Sequence, residues 1–298
     1  MRVTSRMMVE NLRQNINLNS ENLARLQDQL SSGMRLRRPS DDPQAVSRAL
    51  SLRTTSAQYT QYLRNISSAR GWLEATDTAL DQMSTALRQA RDVALRGSTD
   101  TLDDDALRAL GAQVDSYLQE ALEAANASHG GKYLFAGFQV GPGSPPFEIS
   151  GVTIVYNGDS GSIEREISAG IRLGINITGD STVGGDTPII DGLQAMLDIR
   201  DQLLSGNKVT SAQLGQLTTA LEEMPSIRGL VGARMQRIDE TESAIKGLQS
   251  NVAVMLSREQ DADVAEVMTK LMMQESVYRA ALNIGARVIQ PSLLDFLR

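Results

Sequence analysis

The chain holds a single histidine, His129, and no cysteine. Paired-histidine metal sites, thiolate sites, disulfides and cysteine nucleophiles are therefore excluded. His-Glu-x-x-His is absent, and no Gly-x-Ser-x-Gly turn offers His129 a serine to activate. Its place just before Gly130-Gly131 suits the C-terminal end of a helix, where partial positive charge meets the helix dipole. Asp103-Asp104-Asp105 and Glu222-Glu223 are the candidates for a hard cation or an acid–base pair, but they lack the alternating ligands of a calcium loop. Gly141-Pro142-Gly143 has no phosphate-binding lysine beside it. Asn65-Ile66-Ser67, Asn126-Ala127-Ser128 and Asn176-Ile177-Thr178 match the glycosylation acceptor pattern, and two of them fall in helical stretches. Arg35, Arg37 and Arg38 form the best basic cluster, without interleaved aromatics for base stacking. The expectation is a chain with no catalytic, cofactor or metal residues, and not an enzyme.

What the sequence does contain is periodicity. Ala45, Leu52, Tyr59, Ile66, Leu73, Leu80, Leu87 and Ala94 recur every seven residues in one phase. Such a repeat keeps one narrow seam of a long helix against partner helices. A second seam holds Leu12, Ile16, Leu23, Leu26 and Leu30, with Asn19 in the polar gap. A third runs through Val231, Ile238, Thr241, Ile245, Leu248, Val252 and Met255. After a phase shift, Val264, Met268, Leu271, Tyr278, Leu282 and Ile289 resume the pattern, and the shift marks a joint. Both ends of the chain therefore require helical partners.

The composition agrees with thin helical bundles: 41% of the 298 residues are hydrophobic but only 4% are aromatic. A formal net charge of −7 with no basic stripe argues against a nucleic-acid partner. No run reaches the roughly 18 apolar residues of a membrane span, and the N-terminus lacks the apolar stretch of a cleaved secretory signal.

The first helix is expected from Thr4 or Ser5 to Gly33, which readily takes the left-handed conformation. Asp42 caps the second, with Pro43 at its first position, and Gly97 ends it. The third carries Leu107, Leu110, Val114, Leu118 and Ala121 and closes at Gly130-Gly131. From Gly137 to Gly185 the sequence turns rich in Gly, Pro, Ser and Thr. Short β-branched runs occur at 152–156, 163–167 and 171–177, with Asn157-Gly158-Asp159-Ser160-Gly161 as the hairpin signal between the first two. Helices return at Ile189 to Gly206, at Ser211 to Met224 before Pro225, and from there to Ile289.

Two stretches carry a family resemblance. Leu30-Ser31-Ser32-Gly33-Met34-Arg35-Leu36, followed by Pro39-Ser40-Asp41-Asp42-Pro43, resembles the N-terminal signature of the bacterial flagellin superfamily. Asp261-Ala262-Asp263-Val264-Ala265-Glu266, Ala280-Ala281-Leu282 and Ser292-Leu293-Leu294 resemble the C-terminal one. Arg37-Arg38-Pro39-Ser40-Asp41-Asp42-Pro43, Tyr133-Leu134-Phe135-Ala136-Gly137 and Tyr156-Asn157-Gly158-Asp159 are similar to the branch that joins hook to filament.

The resemblance implies a mainly α fold: an elongated bundle of long coiled-coil-like helices formed by both chain ends, with a small inserted β domain. Residues 1–41 would pair with 262–298 as assembly helices, 42–136 with 187–261 would form a helical rod, and 137–186 the outer β domain. The implied role is structural, in the extracellular flagellum after unfolded export through the flagellar type III apparatus. The implied partners are the other hook-associated junction protein, flagellin, copies of itself in a ring and a cytoplasmic export chaperone, with no nucleic acid and no membrane. The assembly interface expected is Leu12, Ile16, Leu23, Leu26 and Leu30 packing with Met268, Leu271, Leu282, Ile289 and Leu293 once subunits stack. The alternatives are a short flagellin that forms the filament itself, a secreted enzyme on a flagellin-like scaffold, and an adhesive or ligand-binding role for 137–186.

Overall fold

The computed structural model describes residues 5–36, 38–99, 102–139, 141, 144–182 and 187–289. Two compact units divide the chain, one made of residues 1–58 and 248–298 and the other of 59–247.

The unit of both chain ends contains α1 (Ser5–Ser32), the start of α2 (Pro43–Gly97), the end of α5 (Ser211–Gln260) and α6 (Val264–Ile289). Gly33 ends α1 with φ of 68°, its N–H reaching Gln29 O at 2.9 Å. Asp42 caps α2 as expected, Oδ1 accepting the N–H groups of Gln44 at 3.1 Å and Ala45 at 3.0 Å, with Pro43 first in the helix. The phase shift near residue 261 is a true break: Asp263 Oδ1 caps α6 through Ala265 N and Glu266 N.

The larger unit is built on the seven-residue seam. Ile66, Leu73, Leu80, Leu87 and Ala94 on α2 are all at most 2% exposed. They share a core with Leu107, Val114 and Leu118 of α3 (Asp104–Ala125), Leu193, Met196 and Leu203 of α4 (Pro188–Leu204), and Val231, Ile238 and Ile245 of α5. Polar clamps fix α2 against α5. Arg228 reaches Asp77 at 2.9 Å and Asp81 at 2.6 Å, and Arg70 in turn reaches Asp239 at 2.6 Å and Glu242. Lys246 first and Arg70 second hold the Glu242 carboxyl below its ordinary range. Each arginine bridges two acids one helical turn apart, which suits the forked donors of guanidinium.

Among the described residues, six short strands make three antiparallel hairpins: β1 (Ser128–His129) with β2 (Lys132–Tyr133), β3 (Phe147–Ser150) with β4 (Thr153–Tyr156), and β5 (Glu164–Ser168) with β6 (Ile171–Gly174). Long helices from both ends and a small strand insertion thus match the expected fold class.

Four local expectations are corrected. Gly130 and Gly131, with φ of 59° and 75°, turn the β1–β2 hairpin rather than close α3, which stops at Ala125. His129 accordingly lies in β1, its ring edge-on to Trp72 at 6.2 Å between centroids. The segment 157–161 links two hairpins instead of turning one; the tight turns sit at Gly151, with φ of 64°, and Gly170, with φ of 71°. Pro225 does not stop a helix, because α5 continues through it. Pro225 is exposed while Met224 and Ile227 beside it are buried, so packing of the opposite side outweighs the lost N–H bond.

Candidate assembly surface

α1 and α6 lie antiparallel within one chain. Gln274 Nε2 donates to Asn19 Oδ1 at 3.0 Å, and a Cβ on Gly285 would stand 3.2 Å from Leu12 and 3.7 Å from Ile16. Leu12, Ile16, Leu23, Leu26 and Leu30 are each half-buried, with Asn19 in their row as expected. Leu12 and Ile16 therefore already face α6 inside the chain. On α6 the covered row is Val267, Leu271, Gln274, Tyr278, Ala281 and Gly285. Leu271 belongs to it, but Met268 and Leu282 do not, being 43% and 45% exposed. The side chain of Ile289 and all of Leu293 lie outside the described residues. Gln274 and Gly285 were missed because an apolar seam is sought in large side chains. The signal was Gly285 itself, the small residue under Leu12.

Successive residues advance about 100° around a helix. On that wheel Val264, Met268, Met272 and Leu282 flank one side of the covered row, and Met273, Val277 and Ile284 flank the other; all are exposed. α6 thus carries exposed large apolar side chains on both flanks of its occupied row, interspersed with the Glu266–Lys270 and Glu275–Arg279 ion pairs. α1 differs: beyond Met7, Met8 and Val9 in its first turns, Asn11, Arg13, Gln14, Asn15, Asn17, Glu21, Arg25 and Asp28 make its open face polar, with Leu18 exposed among them.

The joint beneath this pair is closed by backbone and side chain together. Met34 bridges Asp261 in antiparallel fashion, Arg35 N donates to Gln260 O at 2.7 Å, and Ala262 N donates to Gly33 O at 2.9 Å. Arg48 grips Glu259 with two bonds of 3.1 Å, and Arg53 Nη2 donates to Gln260 Oε1 at 2.6 Å. The two signature stretches of the sequence meet here, which is the spatial reason for their pairing.

No group of three or more His, Cys, Asp or Glu side chains able to hold a metal occurs among the described residues. No helix among them is long and apolar enough to cross a membrane. The acceptor-pattern asparagines are all engaged with main chain. Asn65 Nδ2 donates to Glu166 O at 2.8 Å. Asn126 exchanges two bonds of 2.9 Å with Phe147. Asn176 accepts from Ile163 N and donates to Gly161 O, both at 2.7 Å.

Models of the bacterial flagellin N-terminal helical region and C-terminal helical region match residues 3–140 and 214–297 respectively. The chain belongs to the bacterial flagellin superfamily. Within this superfamily it is 25% identical over 304 residues to flagellar hook-associated protein 3 of Salmonella typhimurium, covering 94% of this chain and 95% of that one. Similarity to flagellin B of Helicobacter pylori is 30% over 130 residues but covers 41% of this chain and only 25% of the relative. A solved Vibrio parahaemolyticus structure ascribed to a flagellar hook-associated protein shares the fold. Its TM-score is 0.66 at 20% identity, over 74% of this chain and all of the other. Likeness along nearly the whole of both chains indicates a structural protein of the flagellum, of the hook-associated kind.

The segment after α3 is fastened by Tyr156, whose hydroxyl donates toward Phe135 O at 2.7 Å and Asp159 O at 3.1 Å and accepts from Gly179 N at 3.2 Å. Burial pushes its phenol up to about 12, against the opposing Gly179 N–H. A raised phenol stabilises the fold fully below the unfolded value of about 10, and that contribution is lost as pH rises through the folded value. Tyr156→Phe is expected to lower the urea midpoint at pH 8, and its deficit relative to the parent chain should shrink between pH 10 and 12. A deficit that stays constant over this range rules out the role given to the hydroxyl.

Proposed function

We propose that the chain joins the flagellar hook to the flagellin filament and does no catalysis. Its terminal helices assemble by coiled-coil packing, with the free flanks of α6 covered by neighbouring copies in a ring. The exposed apolar side chains of α6, next to a row already covered by α1, carry this reading. Residues 1–41 and 262–298 serve as the assembly pair, 42–136 with 187–261 as the helical domain, and 137–186 as the outer β domain. The partners are the other hook-associated junction protein toward the hook and flagellin toward the filament. The site of action is extracellular, after export as an unfolded chain delivered by a cytoplasmic chaperone.

Leu282 and Leu26 separate assembly from folding. Leu282→Asp places a charge on an exposed flank and is expected to abolish attachment to isolated hook–filament fragments, with stability changed by less than about 0.5 kcal/mol. Leu26→Asp lies on the covered row and should also loosen the α1–α6 pair, read as lost helicity. Unchanged attachment of Leu282→Asp would count against the proposal. A short flagellin is the second reading, and the quarter-length match to flagellin B speaks for it less than the full-length match to the hook-associated protein. Mixing the purified chain with short filament seeds distinguishes them by electron microscopy. Long filaments grown from this chain alone would make it a flagellin, and failure to propagate them supports the junction role.

A further inference from the structure

The sulfur of this chain is segregated. With no cysteine, its methionines are the only sulfur centres. In the unit of residues 59–247, Met83, Met196 and Met224 are at most 1% exposed and Met235 is half-buried. In the unit of the chain ends, Met7, Met8, Met255, Met268, Met272 and Met273 are 43–67% exposed. Met34, also in that unit, differs in having its Sδ engaged by Gln260 Nε2 at 2.9 Å. Among the described residues every well-exposed thioether therefore lies in the unit that bears α1 and α6.

We propose that Met268, Met272 and Met273 of the unassembled chain form an oxidation-sensitive modification site that switches assembly off. The reagent class is a two-electron oxygen donor such as hydrogen peroxide. A sulfur lone pair attacks one peroxide oxygen, the O–O bond breaks, the S–O bond forms, and the other oxygen leaves as water after proton transfer. Sulfur is oxidised by two electrons and the peroxide is reduced. The sulfoxide turns a flexible apolar side chain into a polar, chiral one, on the flanks that assembly requires to be dry. The buried methionines of the larger unit are reached only through opening of its fold, so the helical core survives the dose that modifies α6. Reduction by a methionine sulfoxide reductase restores the surface. The effect on assembly rests on the function proposed above; the selectivity of oxidation does not.

The test treats the purified full-length chain with hydrogen peroxide and follows each methionine by peptide mass spectrometry, helicity by circular dichroism, and attachment to isolated hook–filament fragments by co-sedimentation. Met268, Met272 and Met273 are expected to oxidise at least about tenfold faster than Met83, Met196 and Met224, with helicity retained and attachment reduced about tenfold or more. The triple substitution M268L/M272L/M273L keeps apolar volume and should attach equally before and after treatment. Comparable oxidation rates in the two groups would overturn the site, as would full attachment of a chain carrying all three sulfoxides. Loss of attachment by the treated triple-leucine variant overturns it too, by moving the switch elsewhere. If the untreated chain does not attach, the assembly reading fails and with it the switch, while the rate comparison still decides the selectivity.

Discussion

Replacing Gly137 by alanine is expected to destabilise the larger unit by about 3 kcal/mol. Gly137 ends the Tyr133-Leu134-Phe135-Ala136-Gly137 stretch with φ of 68°, and an added Cβ there would collide with both the carbonyl and the carboxylate oxygen of Asp159. Asp159 has little room to retreat. Its Oδ1 accepts from Phe138 N at 2.7 Å and Gly161 N at 2.9 Å, and its own N–H reaches Ala136 O at 3.2 Å. The left-handed backbone and the collision therefore add. Gly170, in the same unit, isolates the first of the two, having φ of 71° and nothing within 4 Å of the added atom, so Gly170→Ala should cost about 1 kcal/mol. Urea unfolding followed by the single tryptophan, Trp72, reads the larger unit directly. Equal losses in the two variants would show that the Asp159 contact does not resist the side chain.

Gly111→Ala is expected to reverse the usual sign of a helical glycine substitution. In an open helix position the change gains about 1 kcal/mol, and Gly229, Gly232 and Gly247 of α5 are open positions, with nothing within 4 Å. At Gly111, where α3 meets α4, the new Cβ would stand 2.9 Å from Leu204 N and 3.1 Å from Leu203 Cβ. Backbone cannot step aside as a flexible side chain can, so the two helices must separate and uncover Leu203, Leu107 and Val114, all at most 2% exposed. Overpacking of this kind costs about 2 kcal/mol net. A thermal melt of Gly111→Ala should fall below the parent, and one of Gly232→Ala rise above it. A rise in both would mean that α3 and α4 are free to part.

The long helices were legible because each buries a repeated side-chain type over many turns, and the α2 seam from Ile66 to Ala94 is covered as the heptads require. The caps at Asp42 and the joint before Val264 were legible for the same reason: local chemistry and long-range packing agree there. The strand region was read less well. β3 begins at Phe147 directly after Pro145-Pro146, too short for alternation to register, and was not foreseen. Asn157-Gly158 is a strong turn signal, yet its surroundings are claimed by Tyr156 and Asp159, which tie the segment to Phe135 and Phe138. On α6 the large residues Met268 and Leu282 drew the seam away from the row marked by Gln274 and Gly285. Periodicity reports which positions are apolar, and a helix with large apolar residues on more than one side leaves open which of them its own chain will cover.

The side-chain amides around the hairpins have a consequence for crowding. Two-stranded sheets carry two outer edges each, and bare edges are templates for pairing with any other strand. Asn126 occupies the main-chain N–H and C=O of Phe147 on β3, Gln194 takes Ile154 N at 2.8 Å and Val152 O at 3.0 Å along β4, and Asn65 takes Glu166 O on β5. Each amide stands in for a rung that a foreign strand would otherwise supply. Copies held side by side at high local concentration can thus touch through their helices without their hairpins fusing into a common ladder.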